Sequence, residues 1–462
     1  MSQDTFDLIV IGAGPGGYPA AIRGAQLGLK TACIEKEKVG GVCLNWGCIP
    51  TKALLKTAEL AHKIRHADAF GLTVGALEID YAKVVQRSRS VSERFERGVR
   101  GLFKKYNVTQ VAGTARLAGD GKVEVTAADG STTTLTAKHI VVATGARAKT
   151  FPGIEPDGER VVTYREAIVS MTRPERVTVL GAGAIGIEFA YFWNAMGSEV
   201  TVVEGQDQIL PIEDHEISAA VKKSLEASGI RFHTGQKVRS VERNGDETVT
   251  TLEDGTALVS DQTLAALGIT PNTENLGLEE MGVSLNRGFI AIDADCRTNV
   301  PGVFAVGDVT TRGGLAHTAT AQAHICVERI AGKSVPDLDY TSIPGCTYCQ
   351  PQVASVGMTE REAKASGQAY RIGRFPFMAN GKAAGAGNDE GFVKVIIDER
   401  YGEILGAHIV GSEATEMIAE FVLARSSEAT AEVLMHTVHA HPTHAEAMLE
   451  AVAQAYGVSV HI

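Results

Sequence analysis

The 462-residue chain has no apolar run approaching the ~20 residues that a membrane-crossing helix requires. Its charged residues, 21% of the total, form no long run of one sign. Phosphate neutralisation demands clustered Lys and Arg, so a net charge of −11 argues against nucleic acid as a partner. The same balance argues against anionic membrane surfaces. No basic stretch precedes the strand-like run at 6–11, so a secretory leader is not expected. Seven cysteines in a chain of this length do not make a disulfide scaffold. A reducing cytoplasm is the expected compartment, with the mature form of an imported organelle protein as the alternative. A disulfide in such a compartment is expected to be catalytic rather than structural. Low-complexity segments are absent.

What is present is a long-range internal echo. Leu8-Ile9-Val10-Ile11 runs into Gly12-x-Gly14-x-x-Gly17, and Val177-Thr178-Val179-Leu180 runs into Gly181-x-Gly183-x-x-Gly186. Each reads as a buried strand, a glycine turn and a helix. Each is followed by a second strand closed by an acid, Glu35 in the first and Glu204 in the second, and the first glycine precedes its acid by 23 residues in both. In the dinucleotide fingerprint the first glycine allows the tight turn, the second lets backbone approach a pyrophosphate, and the third lets helix pack on strand. The helix N-terminus offers free N–H groups to the phosphates. Two nucleotide sites on two βαβ units are therefore expected, with Glu35 and Glu204 each accepting from a ribose. A carboxylate at Glu204 repels a 2′-phosphate, and no arginine follows it, so NAD is favoured over NADP.

The remaining patterns set the organisation. About three domains fit the length. Helices are predicted over 45–67, 81–105 and 315–330, and buried strands over 138–143 and 303–307. Phe151-Pro152-Gly153 marks a hinge into the second unit, and after Pro271-Asn272 the chain returns to the first. Strands predicted over 352–356, 391–397 and 404–410 alternate with helices. The expected architecture is α/β: two Rossmann-like dinucleotide-binding domains, at 1–150 with 272–341 and at 151–271, plus a C-terminal α+β domain at 342–462.

Cys43 and Cys48 stand five residues apart, just after the first unit. A dithiol stores two electrons, as a flavin does, so the pair points to electron transfer between a disulfide and a nicotinamide. Residues five apart on a regular helix point about 140° from each other. A disulfide needs Cα atoms within roughly 4.4–6.8 Å. Cys43 is therefore expected at or before the helix start, where Gly47 and Pro50 permit a bend. A helix N-terminus also favours a reactive thiolate. Two buried structural thiols are the other reading. Cys33, Cys296 and Cys326 are isolated. Cys346-x-x-Cys349 has no second such pair, so packing is expected there rather than zinc. His436, His439, His441 and His444 crowd together, but Pro442 breaks any shared helical face, and no metal is expected. An imidazole near a carboxylate such as Glu446 would serve as acid–base toward a thiol. The residues alone do not choose among the four histidines.

The chain resembles the class I pyridine nucleotide–disulfide oxidoreductases. The likeness rests on Gly40-Gly41-Val42-Cys43-Leu44-Asn45-Trp46-Gly47-Cys48-Ile49-Pro50-Thr51-Lys52, on Val306-Gly307-Asp308, on His439 to Glu446, and on the order of the two fingerprints. It implies FAD on the first unit and NAD on the second. It implies Cys43 as the interchange thiol, Cys48 against the isoalloxazine, and His441 as acid–base held by Glu446. Lys52 would sit by the flavin N5 side, paired with Glu188. Asp308 would bind the ribitol. Ala115, Thr144, Gly145 and Ala316 would also contact FAD, and Val238 and Gly268 would line the NAD site. His441 would act on the flavin of a second copy, so a homodimer built by the C-terminal domain is implied.

Within the family the residues point to the branch that oxidises protein-bound dihydrolipoamide, carried by a lipoyl-bearing acyltransferase (E2) or related carrier, and reduces NAD. No lipoyl-domain sequence precedes the first strand, so the lipoyl group is expected from a partner. Glutathione reductases carry arginines that read the 2′-phosphate, favour alanine at the position of Gly186 and place a tyrosine at that of Ala184. Mercuric and large thioredoxin reductases end in further cysteines. Departures from the family pattern occur at Tyr348-Cys349-Gln350-Pro351, at Gly268-Ile269-Thr270-Pro271-Asn272 and at Thr318-Ala319-Thr320-Ala321. The competing readings are an NAD(P)H-dependent reductase of another disulfide or of mercuric ion, and a mainly structural flavoprotein subunit.

Overall fold

The computed structural model describes residues 4–462. Residues 1–3, on which the expectation of no leader partly rests, lie outside the described residues. The strand Asp4–Ile11 pairs in parallel with Thr31–Glu35 on one side and Thr132–Val142 on the other. Leu8, Ile9 and Val10 are fully buried. A parallel strand covered on both faces reads as a continuous apolar run rather than an alternating one. Thr109–Ala112 extends the sheet beyond Thr31–Glu35. On the far side, Lys122–Thr126 and Thr114–Leu117 add antiparallel strands to the first half of Thr132–Val142. Its second half pairs instead with Val303–Ala305, in parallel, so a strand far along the chain rejoins this first sheet.

A second parallel sheet has the order Arg231–Thr234, Glu199–Glu204, Arg176–Leu180, Gln262–Ala265, Val161–Val162. An antiparallel layer of Val238–Asn244, Glu247–Leu252 and Ala257–Ser260 accompanies it. The chain enters and leaves this part through Ala146–Ala148 and Ile269–Pro271, which pair with each other antiparallel. Thr144 Oγ1 donates to the Asn272 carbonyl at 2.7 Å and Asn272 Nδ2 donates back to the Thr144 carbonyl at 2.9 Å, which closes the crossing.

The C-terminal part is a five-stranded antiparallel sheet in the order Gly345–Thr347, Gln352–Gly357, Ile404–Gly411, Phe392–Asp398, Tyr370–Pro376. Helices Ala414–Ser426 and Glu446–Gln454 cover it, burying Phe421, Met448 and Val452 against Val395 and Ile409. Among the described residues no helix is long and apolar enough to cross a membrane.

One predicted element differs in form. The helix expected over 45–67 spans Cys48–Arg65, and a separate short helix, Gly41–Asn45, precedes it. Trp46 (φ −138°) and Gly47 (φ −127°, ψ −116°) leave the helical region between them. The break at Gly47 fits the bend expected there ahead of the helix, while the helical form of the stretch around Cys43 was not expected.

Candidate active site

The two glycine turns are built alike. Gly12 has φ +98° and Gly181 φ +94°, values that L side chains rarely adopt. A Cβ on Gly17 would lie 1.8 Å from the Gly12 carbonyl oxygen, and one on Gly186 would lie 2.0 Å from that of Gly181. Only hydrogen fits between helix and strand at these points. At the second glycines the surroundings are open: a Cβ on Gly183 meets nothing within 4 Å, and one on Gly14 meets only the Gly41 Cα, at 3.8 Å. Space at the helix start, where N–H groups are free, fits a pyrophosphate at each turn. Each closing acid steadies its turn. Glu35 accepts from the Ala13 and Glu37 N–H groups, both at 2.8 Å, and Glu204 accepts from those of Ala182 and Gln206, both at 2.8 Å. A carboxylate has about four lone-pair sites, so each retains capacity for a ribose hydroxyl.

The two cysteines lie beside the first turn. The Gly40 N–H donates to the Ala13 carbonyl at 2.8 Å, and Gly41 packs on Gly14. Cys43 is within the short helix Gly41–Asn45, and Cys48 is the first residue of the helix Cys48–Arg65. The break at Trp46–Gly47 brings the sulfurs together as two thiols hydrogen bonded to each other. The pair is electrically unequal. Cys43 is pushed well above the ordinary thiol range, first by its hydrogen bond to Cys48 and then by burial. Cys48 is held below that range because it accepts from Cys43, with the Lys52 charge and its own helix N–H adding to this against the opposing effect of burial. The arrangement favours the thiolate at Cys48 and disfavours it at Cys43, as suits a reduced exchange pair.

Lys52 stands one turn further along this helix. Its Nζ meets both carboxylate oxygens of Glu188 at 3.0 Å, from the helix Ala184–Ala195 of the second sheet. Glu188 is nearly enclosed and also accepts from the Tyr348 N–H at 3.1 Å. The Tyr348 ring lies 4.2 Å from Lys52 Nζ. Three parts of the chain therefore meet at one ammonium group. Tyr348 entered the sequence reading only as a departure from the family pattern, and its place over Lys52 has no local signal.

The remaining residues expected at the flavin gather on the same side. Asp308 follows the strand Val303–Ala305; burial raises its pKa, and the Gly314 N–H donating at 2.9 Å opposes this. Gln322, fully buried and not anticipated from sequence, holds the loop by accepting from the Gly307 N–H at 2.7 Å. Ala316 opens the helix Ala316–Ile330, which Thr320 ties to the first glycine turn through the Pro15 carbonyl at 3.0 Å. Ala115 lies two residues beyond Gly113, whose N–H donates to the Glu35 carbonyl at 3.0 Å. Thr144 and Gly145 end the strand that abuts Gly12 and join the crossing to Asn272. At the second turn, Val238 stands two residues after Gln236, whose N–H donates to the Glu204 carbonyl at 3.0 Å. Gly268 has φ +105° and open space at its Cα.

His441 and Glu446 form a separate cluster. His441 Nδ1 is 2.8 Å from Glu446 Oε1, and the Thr443 N–H donates to Glu446 Oε2 at 2.8 Å. Burial pushes the Glu446 carboxyl up, but the Thr443 N–H and His441 outweigh it and hold it below the ordinary carboxylate range. The His441 side chain is 79% exposed and touches none of the residues above. Its neighbours have other attachments: His439 pairs with Glu420 at 2.8 Å, His436 with the carbonyl of Glu432, and His444 packs edge-on against Phe377. Among the described residues the four histidines do not form a ligand set; Asp214, His215 and Glu360 do come together. There the buried Lys394 ammonium already sits 3.0 Å from Asp214 and 2.6 Å from Glu360.

The family profile described as pyridine nucleotide-disulphide oxidoreductase matches residues 6–323, and that of the family's dimerisation domain matches residues 343–452. A dihydrolipoyl dehydrogenase of Rhizobium etli is 48% identical over 98% of both chains. Another, of Zymomonas mobilis, is 45% identical over 99% of both. The crystal structure of LpdA from Mycobacterium tuberculosis superposes with a TM-score of 0.91 at 29% identity, covering 96% of this chain and 99% of that one. FAD and NAD are the cofactors of such enzymes, and the two open glycine turns fit them. With its glycine turns, its dithiol and both profiles in register, the chain belongs to the pyridine nucleotide-disulphide oxidoreductases.

Proposed function

We propose that this chain oxidises protein-bound dihydrolipoamide to lipoamide and reduces NAD to NADH. The observation that carries the reading is the unequal thiol pair, hydrogen bonded beside the first glycine turn with Lys52–Glu188 behind it. Full-length identity of 45–48% to dihydrolipoyl dehydrogenases supports the substrate. FAD at Gly12, Gly14 and Gly17 supplies the transfer of the electron pair from the dithiol to NAD, held at Gly181, Gly183 and Gly186. The exposed His441, oriented by Glu446, meets the dithiol of a second copy, so the working unit is a homodimer.

His441 removes a proton from one substrate thiol, and the resulting thiolate attacks Cys43 Sγ of the Cys43–Cys48 disulfide. Cys48 leaves as a thiolate, favoured by Lys52 and the helix start. His441 releases that first proton to solvent and takes the proton of the second substrate thiol; this second thiolate displaces Cys43, and the Cys43 thiolate takes the proton from His441. Lipoamide departs, and the enzyme is left with Cys43 as thiol and Cys48 as thiolate. Over the full cycle dihydrolipoamide and NAD⁺ give lipoamide, NADH and one proton.

The domain division follows the sheets: 1–150 with 272–341 for FAD, 151–271 for NAD, and 342–462 for dimerisation. Strand Val303–Ala305 returning to the first sheet supports the first assignment. The partner is a lipoyl-bearing acyltransferase or related lipoyl carrier, in a reducing cytoplasm where unpaired thiols persist. Incubation of the FAD-loaded protein with dihydrolipoamide and NAD is expected to yield NADH. Turnover with mercuric ion or another disulfide but not with dihydrolipoamide would overturn the substrate, and no turnover with any dithiol would favour a docking role.

A further inference from the structure

Between the two redox cysteines the chain carries Trp46, and its indole is held from another part of the molecule. The Arg165 guanidinium carbon lies 4.0 Å from the centre of the Trp46 ring, and Lys38 Nζ lies 5.8 Å from it. Arg165 also forms an ion pair with Glu37. Glu37 in turn donates its N–H to Glu35, the acid that closes the first glycine turn. Arg165 belongs to the segment just after Val161–Val162, an edge strand of the second sheet. That segment is firmly seated: Thr163 and Glu166 form a reciprocal cap, with the Glu166 carboxylate accepting from the Thr163 N–H at 2.9 Å and its hydroxyl at 2.6 Å. One guanidinium thus touches the redox loop and Glu37, two residues past the acid that closes the first nucleotide turn, while being rooted in the NAD-side sheet.

The place it touches matters. Trp46 and Gly47 are the two non-helical residues separating the helix of Cys43 from the helix of Cys48. Their conformation sets how the two sulfurs face each other. The rest of the loop is fixed from its own side: Asn45 Nδ2 donates to the Val39 and Gly41 carbonyls, both at 3.0 Å. Arg89 donates to the Asn45 carbonyl. Trp46 has no such hydrogen bond from its indole among those described; one part of the ring packs against the core around Leu54 and Phe189, and the Arg165 guanidinium lies over its face.

We infer that Arg165 is a positioning residue for the dithiol: by stacking on Trp46 it fixes the break between the two cysteine-bearing helices from the NAD-binding side of the molecule. The inference rests on the proposed pairing of Cys43 and Cys48 with a flavin. Its chemical content is that a planar, delocalised cation is needed, so lysine is not equivalent to arginine there.

The test uses the FAD-loaded full-length protein with Arg165→Ala, Arg165→Lys and Trp46→Phe. Each is reduced anaerobically with dithionite, and the long-wavelength thiolate–flavin absorbance is recorded; kcat and both KM values are measured separately. Arg165→Ala is expected to weaken the band and lower kcat roughly tenfold, because small misplacements of reacting groups are costly, with KM for NAD unchanged. Arg165→Lys is expected to restore the band only in part. If Arg165→Ala loses FAD, Trp46→Phe decides, since it spares the Glu37 ion pair: a weakened band supports the inference and an unchanged one overturns it. A wild-type band with an unaltered band and kcat in Arg165→Ala would also overturn it. Absence of the band from the wild-type protein would instead refute the proposed function, so the two failures are distinguishable.

Discussion

The Lys52–Glu188 pair sets how strongly the site holds electrons. In the reduced site the Lys52 charge helps lower the Cys48 pKa and so favours the thiolate there. Glu188, with both oxygens 3.0 Å from that ammonium, offsets the charge. Glu188→Gln keeps the shape and can still accept from the Tyr348 N–H, but removes the offset. The reduced form is then stabilised relative to the oxidised one, and the two-electron potential rises. Hydrogen bonds between charged groups contribute about 1.5–3 kcal/mol. The Lys52 side chain is 34% exposed, so screening by solvent places the effect at the low end of that range. For a two-electron couple about 1.4 kcal/mol corresponds to about 30 mV, or a tenfold change in the equilibrium constant. Anaerobic spectral titration against mixtures of NADH and NAD is therefore expected to show a potential about 30 mV higher in Glu188→Gln, with NADH formation less favourable by about tenfold. Lys52→Met should move the potential the other way. A Glu188→Gln protein with full FAD content and an unchanged or lower potential would refute the electrostatic role assigned to the pair.

Cys48→Ser is expected to abolish turnover with dihydrolipoamide while leaving bound yellow FAD; a purified variant that is colourless yet active would contradict the assignment. His441→Gln should lower kcat/KM by roughly 10²–10⁴-fold, the usual contribution of a positioned acid–base, and full activity at neutral pH would move the role to another histidine. Gly17→Val places side-chain atoms where even a Cβ would lie 1.8 Å from the Gly12 carbonyl oxygen, so the flavin absorbance of the purified protein should be lost. Glu446 titrates below the ordinary carboxylate range, so its contribution to stability is complete above its unfolded-state pKa and disappears as the pH falls through the lower folded-state value. Denaturation of wild type and Glu446→Gln across pH should show a gap that is constant in the neutral range and closes in acid; a gap that widens in acid would invert the argument.

Both glycine turns and their closing acids were legible because each lies within a continuous stretch of chain whose spacing is dictated by backbone geometry at Gly12 and Gly181. The cysteine pair was legible for the same reason, and its position ahead of the long helix followed from the reach of a disulfide. The short helix Gly41–Asn45 around Cys43 was not legible, because five residues carry too little periodicity to show in the sequence. The contact between Lys52 and Glu188 came from family resemblance; nothing local joins residues on two helices more than a hundred positions apart. Gln322 and Lys394 escaped altogether, and Tyr348 was marked only as a departure from the family pattern, not for its place over Lys52. Each is an ordinary polar residue in its own segment and acquires a task only when a distant loop, ring or carboxylate is brought to it. Choosing His441 among four neighbours likewise required either resemblance or the Glu446 contact at 2.8 Å.

The short antiparallel stalk of Ala146–Ala148 and Ile269–Pro271, cinched by Thr144 and Asn272, carries the only two covalent crossings into the segment between them, while Phe189, Phe192 and Trp193 of that segment share a core with Leu54, Tyr81 and Val353 of the host. Neither covalent crossing interrupts a strand of the parent sheet, whose own hydrogen-bond ladder is completed by later chain. A cassette spliced at these two junctions would leave the host strands intact but would have to reproduce that shared core along with its own counterparts of Glu188 and Arg165.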